Sequence, residues 1–133
     1  MATRLAPTTN RDTEFFWDGL REHRLLIQRC TQCRTLRVPP RPMCGECTSL
    51  EWEAIESAGR GIVYSYVLPH YPPMPMFTDP HIVALIELDE GVRIVSNLCD
   101  ITPDRVSVGM RVEAFYVAFN DGELVLHQFR PTD

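Results

Sequence analysis

The stretch Cys30-Thr-Gln-Cys33-Arg-Thr-Leu-Arg-Val-Pro-Pro-Arg-Pro-Met-Cys44-Gly-Glu-Cys47 decides the fold. Each C-x-x-C turns two sulfurs toward one point, and two such knuckles ten residues apart supply the four thiolates that tetrahedral zinc prefers. The pattern predicts a zinc ribbon with Cys30, Cys33, Cys44 and Cys47 as ligands. A rubredoxin-like iron site would use the same sulfurs and would absorb visible light. Two disulfides are disfavoured, because Met1-Ala-Thr-Arg-Leu opens the chain without the apolar run of a signal peptide. With four sulfurs on the metal no position is open to water or substrate, so the expected role is structural. Arg29, Arg34, Arg37 and Arg41 stand against the single Glu46 in this segment. They are expected to donate to sulfur or to offset the charge of −2 that Zn2+ and four thiolates carry together.

Working outward, the 133 residues carry a formal charge of −5, which disfavours phosphate-backbone binding without excluding it. No apolar run approaches a membrane span. The reading is a cytoplasmic protein; all of its 13 basic residues are Arg, as in a GC-rich bacterial genome. Residues 1–12 read as a flexible or partner-ordered tail. Thr13 is placed as the N-cap of a helix beginning at Glu14. Phe15, Phe16, Leu20 and His23, then Leu26 and Ile27, give a helical stripe over two to four turns. Phe15, Phe16 and Trp17 either cap the ribbon or the barrel, or form a docking helix for another protein.

Beyond the knuckles, Leu50, Trp52 and Ala54 alternate with Glu51 and Glu53, predicting a strand buried on one side. Five strands follow: Ile62–Leu68, His81–Leu88, Val92–Leu98, Met110–Ala118 and Glu123–Phe129. The gap between the third and fourth has room for one helical turn at most. The fold class is therefore mainly β: an N-terminal helix, a rubredoxin-like zinc ribbon and a five-stranded OB-fold barrel, with an SH3-like barrel as the alternative. The expected divisions are 1–25 (tail and docking helix), 26–57 (ribbon) and 58–133 (OB-fold).

Pro69-His-Tyr-Pro-Pro-Met-Pro-Met-Phe-Thr-Asp-Pro80 is too long for a plain hairpin, and five of its twelve residues are proline. Its apolar, semi-rigid content suits an acyl chain, a flat ring or a partner surface. Tyr71, Met74, Met76 and Phe77 are candidate wall residues. His70, His81, Arg60 and Arg93 are candidate polar contacts, although a lone histidine beside a strand is usually structural. Tyr64 and Tyr66 are expected on one face, but Arg60 and Arg93 are thin basic support for nucleic-acid binding there. Cys99 reads as a small buried residue rather than a nucleophile. No nucleophile elbow, phosphate loop or H-E-x-x-H motif is present, so no catalytic residue is assigned.

Several motifs occur in order: Phe16-Trp17; Arg29-Cys-Thr-Gln-Cys33; Pro39-Pro-Arg-Pro-Met-Cys-Gly-Glu-Cys47; Gly59-Arg-Gly-Ile-Val-Tyr-Ser-Tyr66; Ala84-Leu-Ile-Glu-Leu-Asp-Glu-Gly-Val-Arg93; and Val108-Gly-Met-Arg-Val112. Over about residues 14–130 the chain resembles the acyl-CoA-associated zinc-ribbon/OB-fold family known as domain of unknown function 35. The resemblance implies a non-catalytic accessory subunit of a thiolase-superfamily enzyme. Such modules are similar to partners of archaeal acetoacetyl-CoA thiolases. They also resemble the domain that, in actinobacterial steroid side-chain degradation, is fused to a hydratase-like module and supports a lipid-transfer-protein-like aldolase. It further implies a hetero-oligomer in which a CoA ester is the shared ligand. No hydratase-like domain is present, so the chain is read as a stand-alone member or an excised domain. The alternatives are a self-sufficient CoA- or lipid-binding protein and a nucleic-acid-binding ribbon–OB protein.

Overall fold

The computed structural model describes residues 4–71 and 81–132. Helix α1 (Glu14–Arg21) begins with an acidic residue and carries the Asp18–Arg21 ion pair at 2.6 Å. Its entry is held by Asn10, whose side-chain oxygen accepts from the amides of Asp12 (2.9 Å) and Thr13 (3.1 Å); Thr13 makes no side-chain cap. The helix is also shorter than the apolar stripe predicts. His23 takes φ 60°, a left-handed conformation that ends a helix, and Arg24 donates back to the Gly19 carbonyl. Leu26 and Ile27 therefore belong to the next strand.

That strand, β1 (Leu26–Cys30), is the centre of a three-stranded antiparallel sheet with β2 (Leu36–Arg37) and β3 (Trp52–Glu56). Gln28 pairs with Arg37 on one side and Ala54 on the other. The expected one-sided burial of β3 fails at Ala54 and Leu50, which are exposed. Trp52 and Ile55 are half-buried, and Phe15 of α1 lies against Trp52 with ring centroids 4.6 Å apart. The ribbon sheet is too small for a continuous second layer, so only the part under α1 is covered.

The remaining strands are β4 (Arg60–Val67), β5 (Ile82–Leu88), β6 (Arg93–Leu98), β7 (Arg111–Phe119) and β8 (Leu124–Pro131). They close a barrel in the order β4-β5-β6-β8-β7, the OB-fold arrangement. A single turn of 3-10 helix, Pro103–Arg105, fills the gap between the third and fourth barrel strands. Closure is least continuous where β6 meets β8, parallel and through one register pair, Leu98 and Phe129. Helix α1 packs on β8 and puts Phe16 and Leu20 into the barrel core beside Val63, Ile86 and Phe129. Leu25 and Ile27 join the same cluster, so helix, ribbon and barrel share one hydrophobic core.

Two details overturn expectations. Pairing in β4 jumps from Val63 to Ser65, so Tyr64 is a bulge. One extra residue reverses the alternation: Tyr64 is exposed, whereas Tyr66, opposite Ala84, packs against the core. The two tyrosines do not share a face. The N-terminal segment is also anchored from Arg4 onward. The Arg4 amide donates to Asn120 Oδ1 (3.0 Å), its guanidinium donates to Asn97 Oδ1 (3.1 Å), and the same group lies 4.7 Å over Phe119.

Candidate metal centre and ligand face

The knuckles are two tight turns of the same make. In each the second half folds back through main-chain bonds, Arg34 to the Cys30 carbonyl (2.9 Å) and Thr48 to the Cys44 carbonyl (3.0 Å). Arg34 and Thr48 take positive φ at these turns. The four Sγ atoms lie within 4.8 Å of one another, with Cys30–Cys47 and Cys33–Cys44 both at 3.5 Å. Sulfurs of a tetrahedral zinc site stand about 3.8 Å apart, given Zn–S bonds near 2.3 Å, so the quartet fits the ion. Without a cation the four thiols cannot ionise together. The Cys33 amide helps hold the Cys30 thiol at about 6. Cys47 receives a main-chain donor from Ser49, yet the Cys30 and Cys33 sulfurs push it up to about 12.

Sulfur receives its hydrogen bonds from the main chain, the amides of Cys33 (3.5 Å) and Glu46 (3.4 Å). Two of the four arginines expected there are engaged elsewhere. Arg29 pairs with Glu53 at 2.6 Å, and Arg37, itself buried, donates through Nε to Gln28 Oε1 and to the Arg41 carbonyl. Their side chains reach neighbouring strands and loops, which fixes the sheet rather than the sulfurs.

The ligand candidates are dispersed. His70 is exposed and Tyr71 is 89% exposed, both leaving β4 at the mouth of the long connection. Met74, Met76 and Phe77 lie outside the described residues. His81 is half-buried before β5, beside Arg4, Asn97 and Cys99 in a polar recess of about 320 Å3. The Cys99 thiol donates to Gln128 Oε1 (2.9 Å), and burial raises its pKa, so it is not a ready nucleophile. Arg60 opens β4 at the other end of the strand, and its carbonyl accepts from the Asp89 amide. Arg93 is stacked 3.7 Å over Tyr64 and bonded to Glu87 (3.1 Å). Arg60 and Arg93 thus stand apart from His70 and Tyr71.

Of the docking candidates, Phe16 is buried within this chain at 6% exposure, edge-on to Trp17 and His127. Phe15 rests on Trp52. Trp17 is half-buried, and its Nε1–H is enclosed with no acceptor among the described residues. Beside Trp17 opens an apolar cleft of about 430 Å3 between α1, the Val38–Pro40 arm and the outer face of β5 and β6. This cleft was not anticipated from the sequence. Its one visible signal is that Leu85 and Val95 are apolar at outward positions of alternating strands.

His127, on β8, also lines the cleft. Its Nδ1 lies 2.9 Å from Ser96 Oγ, which suggests a catalytic pair, but the proton inventory says otherwise. Ser96 Oγ–H donates to the His127 carbonyl (3.0 Å), so the hydroxyl accepts from Nδ1–H. The imidazole is therefore not a base toward that serine. Burial lowers its pKa to about 4 and keeps it neutral.

Comparison with known proteins matches two family domains to the chain. A ChsH2 rubredoxin-like zinc ribbon domain matches residues 17–53, and a ChsH2 C-terminal OB-fold domain matches residues 54–117. The chain is 48% identical over 130 residues to a probable enoyl-CoA hydratase alpha subunit of Thermomonospora curvata, covering 98% of this chain and 40% of that protein. It is 43% identical over 120 residues to a 3-oxo-4,17-pregnadiene-20-carboxyl-CoA hydratase alpha subunit of Mycobacterium tuberculosis, covering 90% and 38%. The chain thus spans about two fifths of these relatives' length. A DUF35 domain-containing scaffold protein of Methanocaldococcus jannaschii is 38% identical, covering 75% of this chain and 73% of its own length. Among solved structures, a chain of an Ltp2-ChsH2(DUF35) aldolase superposes with a TM-score of 0.89 at 47% identity, covering 95% of this chain and 98% of that one. A DUF35 protein of Sulfolobus solfataricus shares the fold at a TM-score of 0.64 and 20% identity, over 93% and 87%. A ribbon that matches one ChsH2 domain and a barrel that matches another leave one conclusion: the chain belongs to the ChsH2/DUF35 family of zinc-ribbon and OB-fold proteins.

Proposed function

We propose that this chain is a non-catalytic accessory subunit that docks on a thiolase-superfamily, lipid-transfer-protein-like enzyme and shapes its acyl-CoA channel. The observation that carries the reading is the match to nearly all of the ChsH2(DUF35) chain in an aldolase assembly. A scaffold protein among the relatives supports a hetero-oligomer, and the CoA hydratase subunits support a CoA ester as the shared ligand. The pregnadiene carboxyl-CoA named for one relative supports a place in steroid or lipid side-chain degradation, and the proposed compartment is the cytoplasm. Among the described residues no helix is long and apolar enough to cross a membrane. Structural zinc holds the ribbon, and the chemistry stays with the partner's residues.

In this reading the 69–80 connection forms one wall of the channel, beginning at the exposed His70 and Tyr71. Arg60, His81 or Arg93 meets a polar part of the ligand, and Phe15 and Trp17 contribute to docking. The test compares cleavage of a β-hydroxyacyl-CoA by the partner alone, by the complex, and by complexes carrying Tyr71→Ala or Phe77→Ala. Little activity without this subunit and a loss of about tenfold or more in the loop variants are expected, the scale of an aromatic contact worth about 1.4 kcal/mol or more. Full activity of the partner alone would refute the reading.

A further inference from the structure

We propose that the cleft between α1, the Val38–Pro40 arm and the outer face of β5–β6 binds a small apolar molecule carrying one hydroxyl, with His127 Nε2 as acceptor. The proposal does not depend on which enzyme the subunit serves. Phe16, Trp17, Pro39, Leu85 and Val95 supply walls from helix, ribbon and barrel. The volume of about 430 Å3 lies inside the ~300–1,000 Å3 typical of small-molecule sites, which favour such junctions. An apolar concavity of this kind is uncommon on a surface without a ligand or partner.

Specificity comes from one nitrogen. Because Ser96 Oγ–H is committed to the His127 carbonyl and accepts from Nδ1–H, the ring is fixed as the Nδ1–H tautomer. Nε2 then carries a lone pair and takes part in none of the hydrogen bonds among the described residues. Burial disfavours the imidazolium, so Nε2 remains an acceptor at neutral pH. In apolar surroundings it discriminates for a donor, an alcohol or phenol over the matching ether. Arg93 stands at the rim, but its guanidinium is already stacked on Tyr64 and bonded to Glu87. Among the described residues no unpaired charge lines the cleft for an anionic ligand or an acidic protein surface, which favours a neutral small molecule.

The experiment uses the zinc-loaded, 15N-histidine-labelled 133-residue chain at pH 7, titrated with 2-naphthol and with 2-methoxynaphthalene. Long-range 15N spectra of His127 should show Nδ1–H and a bare Nε2 before titration, with the Nε2 signal moving on addition of 2-naphthol. The phenol should bind roughly three- to tenfold tighter than the ether, the ratio that one hydrogen bond of about 0.7–1.4 kcal/mol gives. His127→Phe should remove the preference. Val95→Arg, at an exposed position that leaves folding unaffected, should weaken both probes tenfold or more. An Nε2–H tautomer in the free chain, equal affinities, or no binding at millimolar probe would overturn the proposal. So would the discovery that Val95→Arg blocks association with a partner enzyme while neither probe binds, which would assign the face to a protein contact.

Discussion

Cys30, Cys33, Cys44 and Cys47 show how far residue chemistry alone carries. Four sulfurs within 4.8 Å, two of them buried, are mutually repulsive as thiolates and become compatible only around a cation. Cys44→Ser should therefore lower bound zinc well below one per chain and unfold the ribbon, as metal analysis and circular dichroism would report. Intact folding without metal would refute a structural role. His127 gives a second test with a definite sign. Its folded pKa of about 4 lies below the usual 6.5, so between these values the unfolded chain takes a proton that the folded chain refuses. Stability falls as pH drops from 6.5 to 4, by roughly 3 kcal/mol in total, and is level above that window. Denaturant titrations of the wild type and His127→Phe should diverge in slope against pH only in this interval.

Helix α1 and strand β4 explain why equivalent-looking residues differ in role. Adjacent Phe15, Phe16 and Trp17 point three ways around a two-turn helix: onto Trp52, into the barrel, and along the cleft. Phe16→Ala empties a position in the common core and should cost about 3–5 kcal/mol, read from denaturant midpoints. Trp17→Ala should spare the fold and zinc content while weakening partner association by about 2 kcal/mol. Unfolding by Trp17→Ala would make that ring purely structural. In β4, Gly61 is flanked by Leu88 and Val112 on the neighbouring strands. A Cβ there would overlap the Glu87 carbonyl. Gly61→Ala should destabilise the barrel by more than the roughly 1 kcal/mol typical of point substitutions; a neutral result would show that β4 and β5 can separate without loss.

Because Leu25 and Ile27 leave the ribbon to join Phe16, Val63 and Phe129, the metal site and the barrel are mechanically one body. Chelation of zinc should consequently loosen α1 as well as the knuckles, visible as a change in Trp17 and Trp52 fluorescence together. A ribbon that melts while hydrogen exchange in Leu20 and Phe129 stays unchanged would contradict this coupling. The same unity holds α1, the proline arm and β5–β6 at fixed positions relative to one another, so the cleft between them needs little ordering when a small molecule binds.

Much of this was legible in the chain because the governing rules are local. Metal spacing selected the ribbon, and apolar runs rich in strand-forming residues located the five barrel strands within a residue or two of their observed bounds. Turn residues separated them. The unread part depended on contacts distant in sequence. His23 ended a helix whose apolar stripe continued into β1, and one bulge at Tyr64 turned Tyr66 inward although the pattern alone assigned both to one face. Asn97 and Asn120 anchored Arg4 across more than ninety residues. The cleft at His127 exists only because α1 packs on β8 beside the Val38–Pro40 arm. Sequence determined which elements form, through short-range propensity and ligand chemistry; tertiary packing decided which of their side chains remain available, because burial is a property of neighbours.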